Sequence, residues 1–107
     1  MIIYVDIDET ICEYVSGDKY KERDYEKATP IYKNINKINK LFEEGNTIIY
    51  WTARGSISGK DWCALTGQQL DQWGAKYHEY RTGKPAYDLF ICDKAINSER
   101  FFHGEGE

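Results

Sequence analysis

Basic charge is in short supply in this sequence: 14 lysines and arginines stand against 18 aspartates and glutamates, for a net charge of -4. That balance gives no overall electrostatic reason to bind nucleic acid or an anionic membrane, whose ligands attract basic surfaces. Long apolar runs are missing too, so no stretch reads as a bilayer span, and the start, MIIYVDID, lacks the basic and apolar segments of a secretory signal. Cysteine is sparse. Cys12, Cys63 and Cys92 are odd in number, far apart and without CxxC spacing, which excludes a disulfide framework and a zinc or redox pair, and predicts buried free thiols. Repeats and low-complexity tracts are absent. These exclusions leave a cytoplasmic protein as the expectation.

What is present is the composition of a packed domain. Hydrophobic residues make up 41% of the 107 positions and aromatics 15%, with 30% charged residues for a solvated exterior. A chain of this length buries roughly two thirds of its unfolded surface around one core and has no room for a second. One domain, residues 1–107, is therefore expected.

Ile2 to Asp6 is short, apolar and rich in branched residues, the pattern of a buried strand. Ser16, Gly17 and Asp18 predict a turn between Ile11–Val15 and the charged stretch Lys19 to Lys27, hence a small β-hairpin flap over residues 11–27. Thr29-Pro30 reads as a helix start, with Ile31, Ile35, Ile38 and Leu41/Phe42 at helical spacing until Gly45, and Lys33, Lys37 and Lys40 on a solvated face. Thr47 to Thr52 predicts a second buried strand and Lys60 to Trp73 a helix. Tyr77 to Tyr80 predicts a short third strand and DLFICD, Asp88 to Asp93, a fourth, with a loose tail over 103–107. Alternating strands and helices predict an α/β, three-layer, Rossmann-like domain: a mostly parallel sheet with helices on both faces.

In such a sheet, ligands bind outside the carboxyl ends of the strands. Asp6 and Asp8 lie after the first strand, Thr52 after the second, Lys84 in the loop before the fourth, and Asp93 at its end. Extended backbone sends Asp6 and Asp8 to one face, where two carboxylates about 5 Å apart repel by about 3 kcal/mol at an effective dielectric near 20. Some cation must offset that repulsion. A carboxylate can attack phosphorus and hold a phosphoryl group covalently, a second carboxyl can shuttle the proton, and a hydroxyl and an ammonium can stabilise spread phosphoryl charge.

The order DIDET at Asp6 to Thr10, IIYWT ending at Thr52, Lys84 in TGKP, and DLFICD ending at Asp93 resembles the four motifs of the haloacid dehalogenase-like phosphatases. The resemblance spans nearly the whole chain. It implies Asp6 as nucleophile, Asp8 as acid and base, Thr52 and Lys84 as catalytic phosphoryl-binding groups, and magnesium held by the Asp6 carboxylate, the Asp8 backbone carbonyl and the Asp93 carboxylate. A divalent ion would offset the carboxylate repulsion. The fourth motif departs from the commoner acidic doublet, because Cys92 precedes Asp93 and Asn97 stands where the spaced form has an acid. Asn97 could hold a metal-bound water through its amide oxygen. Asp88 cannot replace Asp93, since a strand of that length separates them by roughly 16 Å.

Arg54, directly after the second motif, has two readings of equal weight: a bidentate contact to a substrate phosphate or carboxylate, or an ion pair with Asp61. His78, among tyrosines, reads as structural before proton shuttle. Phe101-Phe102 reads as an anchor for the tail or a subunit contact.

The segments between motifs hold no inserted domain, so the chain looks like a capless member, its open site accepting a bulky substrate or closed by a second copy in a homo-oligomer. WTARG and GKPAYDLFI resemble phosphatases of capsular and other surface-polysaccharide biosynthesis, which implies a small phosphorylated sugar as substrate. Two other classes stand beside a magnesium-dependent phosphomonoesterase: a non-catalytic module binding a phospho-ligand or metal, and a nucleic-acid end phosphatase, against which the acidic balance speaks.

Overall fold

The computed structural model describes residues 1–14 and 24–104 of the chain. Its centre is a parallel sheet of three strands, β1 (Ile2–Val5), β4 (Thr47–Trp51) and β5 (Glu79–Arg81), in the order β1-β4-β5. Ile3 pairs with Ile48, Val5 with Tyr50, and Tyr50 with Tyr80. Between β1 and β4 come β2 (Cys12–Glu13), β3 (Thr29–Pro30) and helix α1 (Tyr32–Glu43); α2 (Cys63–Gln72) joins β4 to β5, and α3 (Ser98–His103) ends the described chain. The small α/β fold read from the alternation is present.

Alternation along the strands sorts the side chains. Val5, Ile48 and Tyr50 join Ile35 and Ile38 of α1, Leu70 of α2 and Phe102 of α3 in one core cluster. The opposite face of β1 is open, with Ile2 69% and Tyr4 50% exposed; Trp51 meets Tyr4 edge to face, and Arg81 donates to the Tyr4 hydroxyl at 2.9 Å. Topology explains the asymmetry. The crossovers β1 to β4 and β4 to β5 step in the same direction, and right-handed crossovers in one direction put both helices on one face. α3 stays there too, since Lys37 of α1 donates to the Phe101 carbonyl at 2.8 Å and lies 4.6 Å from the Phe101 ring centroid. Helices on both faces, as expected from the sequence, are not found among the described residues.

The predicted fourth strand does not form. Asp88–Asp93 is irregular, and Leu89, Phe90 and Ile91 are 75%, 55% and 89% exposed. A run of branched and aromatic residues satisfies strand propensity, yet a strand exists only where an edge pairs with it, and β1 keeps that edge open.

Two smaller corrections concern boundaries. Thr29-Pro30 does not start the helix: it forms β3, antiparallel to Cys12–Glu13, and α1 begins after Ile31, which gives no side-chain cap. The two-residue ladder tolerates a proline because so few amide donors are needed. The expected turn at Ser16–Asp18 lies outside the described residues, and Tyr25–Lys27 forms a single 3-10 turn capped by Asp24. At the end, His103 belongs to α3, with Gly104 as its cap, while 105–107 are outside the described residues. Gly45, at φ 98°, stops α1 where the sequence places its end. Among the described residues no helix is long and apolar enough to cross a membrane.

Candidate active site

β1 delivers Asp6 to the sheet's carboxyl end, and a tight turn then reverses the chain. Thr10 and Ile11 both donate backbone N–H groups to the Ile7 carbonyl, at 3.1 and 2.9 Å, and Glu9 takes a positive φ of 63° to close the loop. Ile7 and Ile11 are fully buried, so the turn is pinned from below. Asn34 of α1 fastens it sideways by donating to the Thr10 carbonyl at 2.9 Å. A polar loop is thereby held as rigidly as a strand, which catalytic placement requires.

Asp6 accepts the Ile7 N–H on Oδ1 at 2.9 Å, and Lys84 Nζ lies 3.7 Å from the same oxygen. Oδ2 accepts no hydrogen bond from the described residues. Burial raises the Asp6 pKa by more than the Lys84 charge and the Ile7 N–H lower it. Lys84 is itself fixed: its N–H donates to the Thr52 carbonyl at 3.1 Å, Ser56 donates to its carbonyl at 2.6 Å, and its ammonium sits between the Trp51 and Tyr87 rings, 5.9 and 5.7 Å from their centroids. Thr52, buried at the end of β4, accepts the Arg54 N–H on Oγ1 at 3.1 Å, which leaves its hydroxyl proton for a ligand.

Asp8 has a different environment. Arg54 grips it bidentately, Nε to Oδ2 at 3.1 Å and Nη2 to Oδ1 at 2.8 Å; Tyr14 donates to Oδ1 at 2.5 Å and Cys12 Sγ lies 3.4 Å away. Burial alone would raise its pKa, but hydrogen bonds and charge from Arg54, with Tyr14 and Cys12, take it below the ordinary carboxylate value. Arg54 is buried and held from behind by Thr66 at 3.3 Å and Gln69 at 2.6 Å, with the Tyr25 ring 4.8 Å from its guanidinium carbon. Each acid therefore has its own cation, Lys84 for Asp6 and Arg54 for Asp8, and these charges offset part of the repulsion between them.

Asp6, Asp8, Thr52, Arg54 and Lys84 all line one open cleft of about 930 Å³. Asp93 is not among them. No group of three or more His, Cys, Asp or Glu side chains gathers at metal-binding separation among the described residues. A magnesium ion takes six oxygens in near-ideal octahedral geometry; of the residues expected to supply them, Asp6 and Asp8 line the cleft, while Asp93 sits on the irregular segment and does not line it. Asn97 is the cap of α3, its side-chain oxygen accepting the Glu99 N–H at 2.9 Å.

At the deciding point, comparison with known proteins speaks only to the fold. The chain is similar to a crystal structure of a structural-genomics target from Vibrio cholerae, with TM-score 0.79 and 21% identity over 95% of this chain and 87% of that one. That likeness shows a shared fold. No family model matches the chain, and no curated protein matches it.

Arg54 pairs with Asp8 rather than with the expected Asp61, whose Oδ1 accepts the Cys63 N–H at 2.9 Å beside α2. His78 is structural: its Nδ1 accepts the Ile48 N–H at 3.1 Å, and its ring packs 4.7 Å from Phe42. Of the three thiols only Cys12 is buried; Cys63 and Cys92 are exposed. Tyr14, Tyr25, Thr66 and Gln69 went unread in the sequence. Thr66 and Gln69, polar residues three apart among the buried positions of α2, carried a signal; Tyr14 and Tyr25 carried none.

Proposed function

We propose that the protein is a phosphomonoesterase acting through an aspartyl-phosphate on Asp6, its substrate a small phosphorylated sugar or metabolite. One observation carries the reading: the Asp6 carboxylate, with Oδ2 unengaged among the described residues, lies in an open cleft that Lys84 and Thr52 also line. Oδ2 is the attacking atom. Lys84 and Thr52 receive the equatorial phosphoryl oxygens, whose charge they stabilise as the P–O bond to the leaving group breaks and the leaving oxygen takes a proton from water in the open cleft. Held as a carboxylate by Arg54, Asp8 is in the form that takes a proton from the water that later releases phosphate.

Magnesium belongs to the proposal as the expected cofactor, which when bound would neutralise phosphoryl charge. The Asp6 carboxylate, the Asp8 backbone carbonyl and the Asp93 carboxylate would hold it, and no step is routed through it. A hairpin flap over 11–27 is likewise part of the proposal, as are a cytoplasmic location, an open site closed by a second copy, and a role in surface-polysaccharide biosynthesis.

The test is turnover of 4-nitrophenyl phosphate with magnesium and with chelator, for wild type and Asp6→Asn. Loss of turnover in the variant is expected; equal rates would remove Asp6 from the mechanism. The second reading, a non-catalytic phospho-ligand-binding module, is favoured by Asp93 not lining the cleft that holds Asp6. Saturable phosphate binding without hydrolysis across a broad phosphate panel would select it.

A further inference from the structure

A side recess of about 210 Å³ opens from the main cleft between the loop after β4 and Thr82–Gly83. It shares Arg54, Gly55, Lys60 and Trp62 with the cleft and is otherwise lined by polar groups, among them Ser56 and Thr82. Arg54 is committed to Asp8. Lys60 is not committed: its Nζ lies 4.5 Å from the Trp62 ring centroid, and no carboxylate pairs with it among the described residues. Asp61 lines the same recess but is not within ion-pair distance of Lys60, and its Oδ1 accepts the Cys63 N–H.

The loop that presents Lys60 is built rather than slack. Gly55 has φ 82°, Gly59 donates to the Gly55 carbonyl at 2.8 Å, and the Lys60 N–H reaches Ser58 Oγ at 3.2 Å. A Cβ at Gly55 would run into the Lys60 carbonyl oxygen, so glycine lets the two ends of the loop close on each other. Between the recess and the phosphoryl end stands Trp62, with the Tyr25 ring edge to face at 5.0 Å. An aromatic pair of that kind suits a ring, and the Lys60 ammonium over the Trp62 ring suits an anion.

We propose that the substrate carries two anionic groups on a ring body: a phosphoryl group transferred at Asp6, and a second carboxylate or phosphate received by Lys60 in the side recess. A phosphorylated sugar acid or a sugar bisphosphate has this form. The inference rests on the phosphatase reading for its first group and on Lys60 for its second.

The experiment compares matched pairs that differ in one anion, glucose 1-phosphate with glucuronic acid 1-phosphate and fructose 6-phosphate with fructose 1,6-bisphosphate. The doubly acidic member should win by about fivefold in kcat/KM, the upper end for one solvent-screened ion pair. Lys60→Met should bring that ratio to within about twofold of one, and raised ionic strength should shrink it in the wild type. The two pairs separate a carboxylate from a phosphate as the preferred second anion. Calorimetry of the same compounds on Asp6→Asn reads binding without turnover. Turnover with equal kcat/KM in both pairs, or a preference that survives Lys60→Met, would overturn the second site and leave the phosphatase reading standing. A binding preference that depends on Lys60 with no hydrolysis of any phosphate would do the reverse. Neither turnover nor preference would remove both.

Discussion

Arg54 and Asp8, 46 residues apart in the chain, meet in a two-pronged ion pair whose guanidinium is fully buried and whose carboxylate is 13% exposed. Removing one partner of a buried pair leaves the other desolvated, which costs about 3–5 kcal/mol where no donor replaces it. Tyr14 and Cys12 remain beside Asp8, so Arg54→Met should lower unfolding stability by about 2–4 kcal/mol, and Arg54→Lys, which keeps charge but loses the planar fork, by less. Urea unfolding measures both. A loss under about 1 kcal/mol for Arg54→Met would mean the pair behaves as an ordinary surface contact.

The two acids should give opposite limbs to the pH dependence of stability. Asp8 has a folded pKa below its unfolded value of about 3.9, so the unfolded chain takes up the proton first as pH falls. Its contribution is whole above that value and is lost as pH drops through the folded one. Asp6, raised by burial beyond what Lys84 offsets, behaves inversely: its contribution is whole below about 3.9 and is lost as pH rises through the raised folded value. Urea midpoints collected across the acid range should show Asp8→Asn flattening the acid limb and Asp6→Asn flattening the limb above it. An unaltered acid limb in Asp8→Asn would refute the assignment.

What could be read in the sequence follows the range of the forces. Strands β1 and β4 and the end of α1 at Gly45 are local patterns, and the structure has them where alternation and helical spacing put them. Asp6, Thr52 and Lys84 were placed together by topology, because parallel strands bring their carboxyl ends to one edge. Asp88–Asp93 has the same local pattern as β4, but pairing is non-local and the periodicity of six residues does not report it. Arg54 shows the same limit in the site. Its two expected partners were the neighbour Asp61 and a ligand, whereas the partner it has is 46 positions back, where no spacing rule reaches.

Cysteine exposure offers a direct check on the irregular segment. Cys63 and Cys92 are exposed and Cys12 is buried, its thiol pushed far up by burial and by the Asp8 charge. A disulfide-exchange reagent is attacked by the protein thiolate, so two of the three thiols should react in the native protein at neutral pH and the third only after unfolding. Cys92→Ser should reduce the native count to one. Protection of Cys92 would show that Asp88–Asp93 is covered in solution.

Gly55 and Gly59 provide a controlled comparison in the loop that carries Lys60. Both have positive φ, 82° and 75°, so alanine at either is strained by about 1 kcal/mol. Around Gly59 a Cβ would meet open space; around Gly55 it would meet the Lys60 backbone carbonyl, and the Trp62 ring at 3.3 Å. A backbone oxygen cannot rotate away as a side chain does, so Gly55→Ala should lose about 1–3 kcal/mol more than Gly59→Ala. If the loop yields instead of the fold, Lys60 moves, and discrimination between singly and doubly anionic phosphates falls in Gly55→Ala while Gly59→Ala keeps it. Equal stability and equal discrimination in the two variants would show that the close approach of Gly55 to Lys60 does not shape the recess.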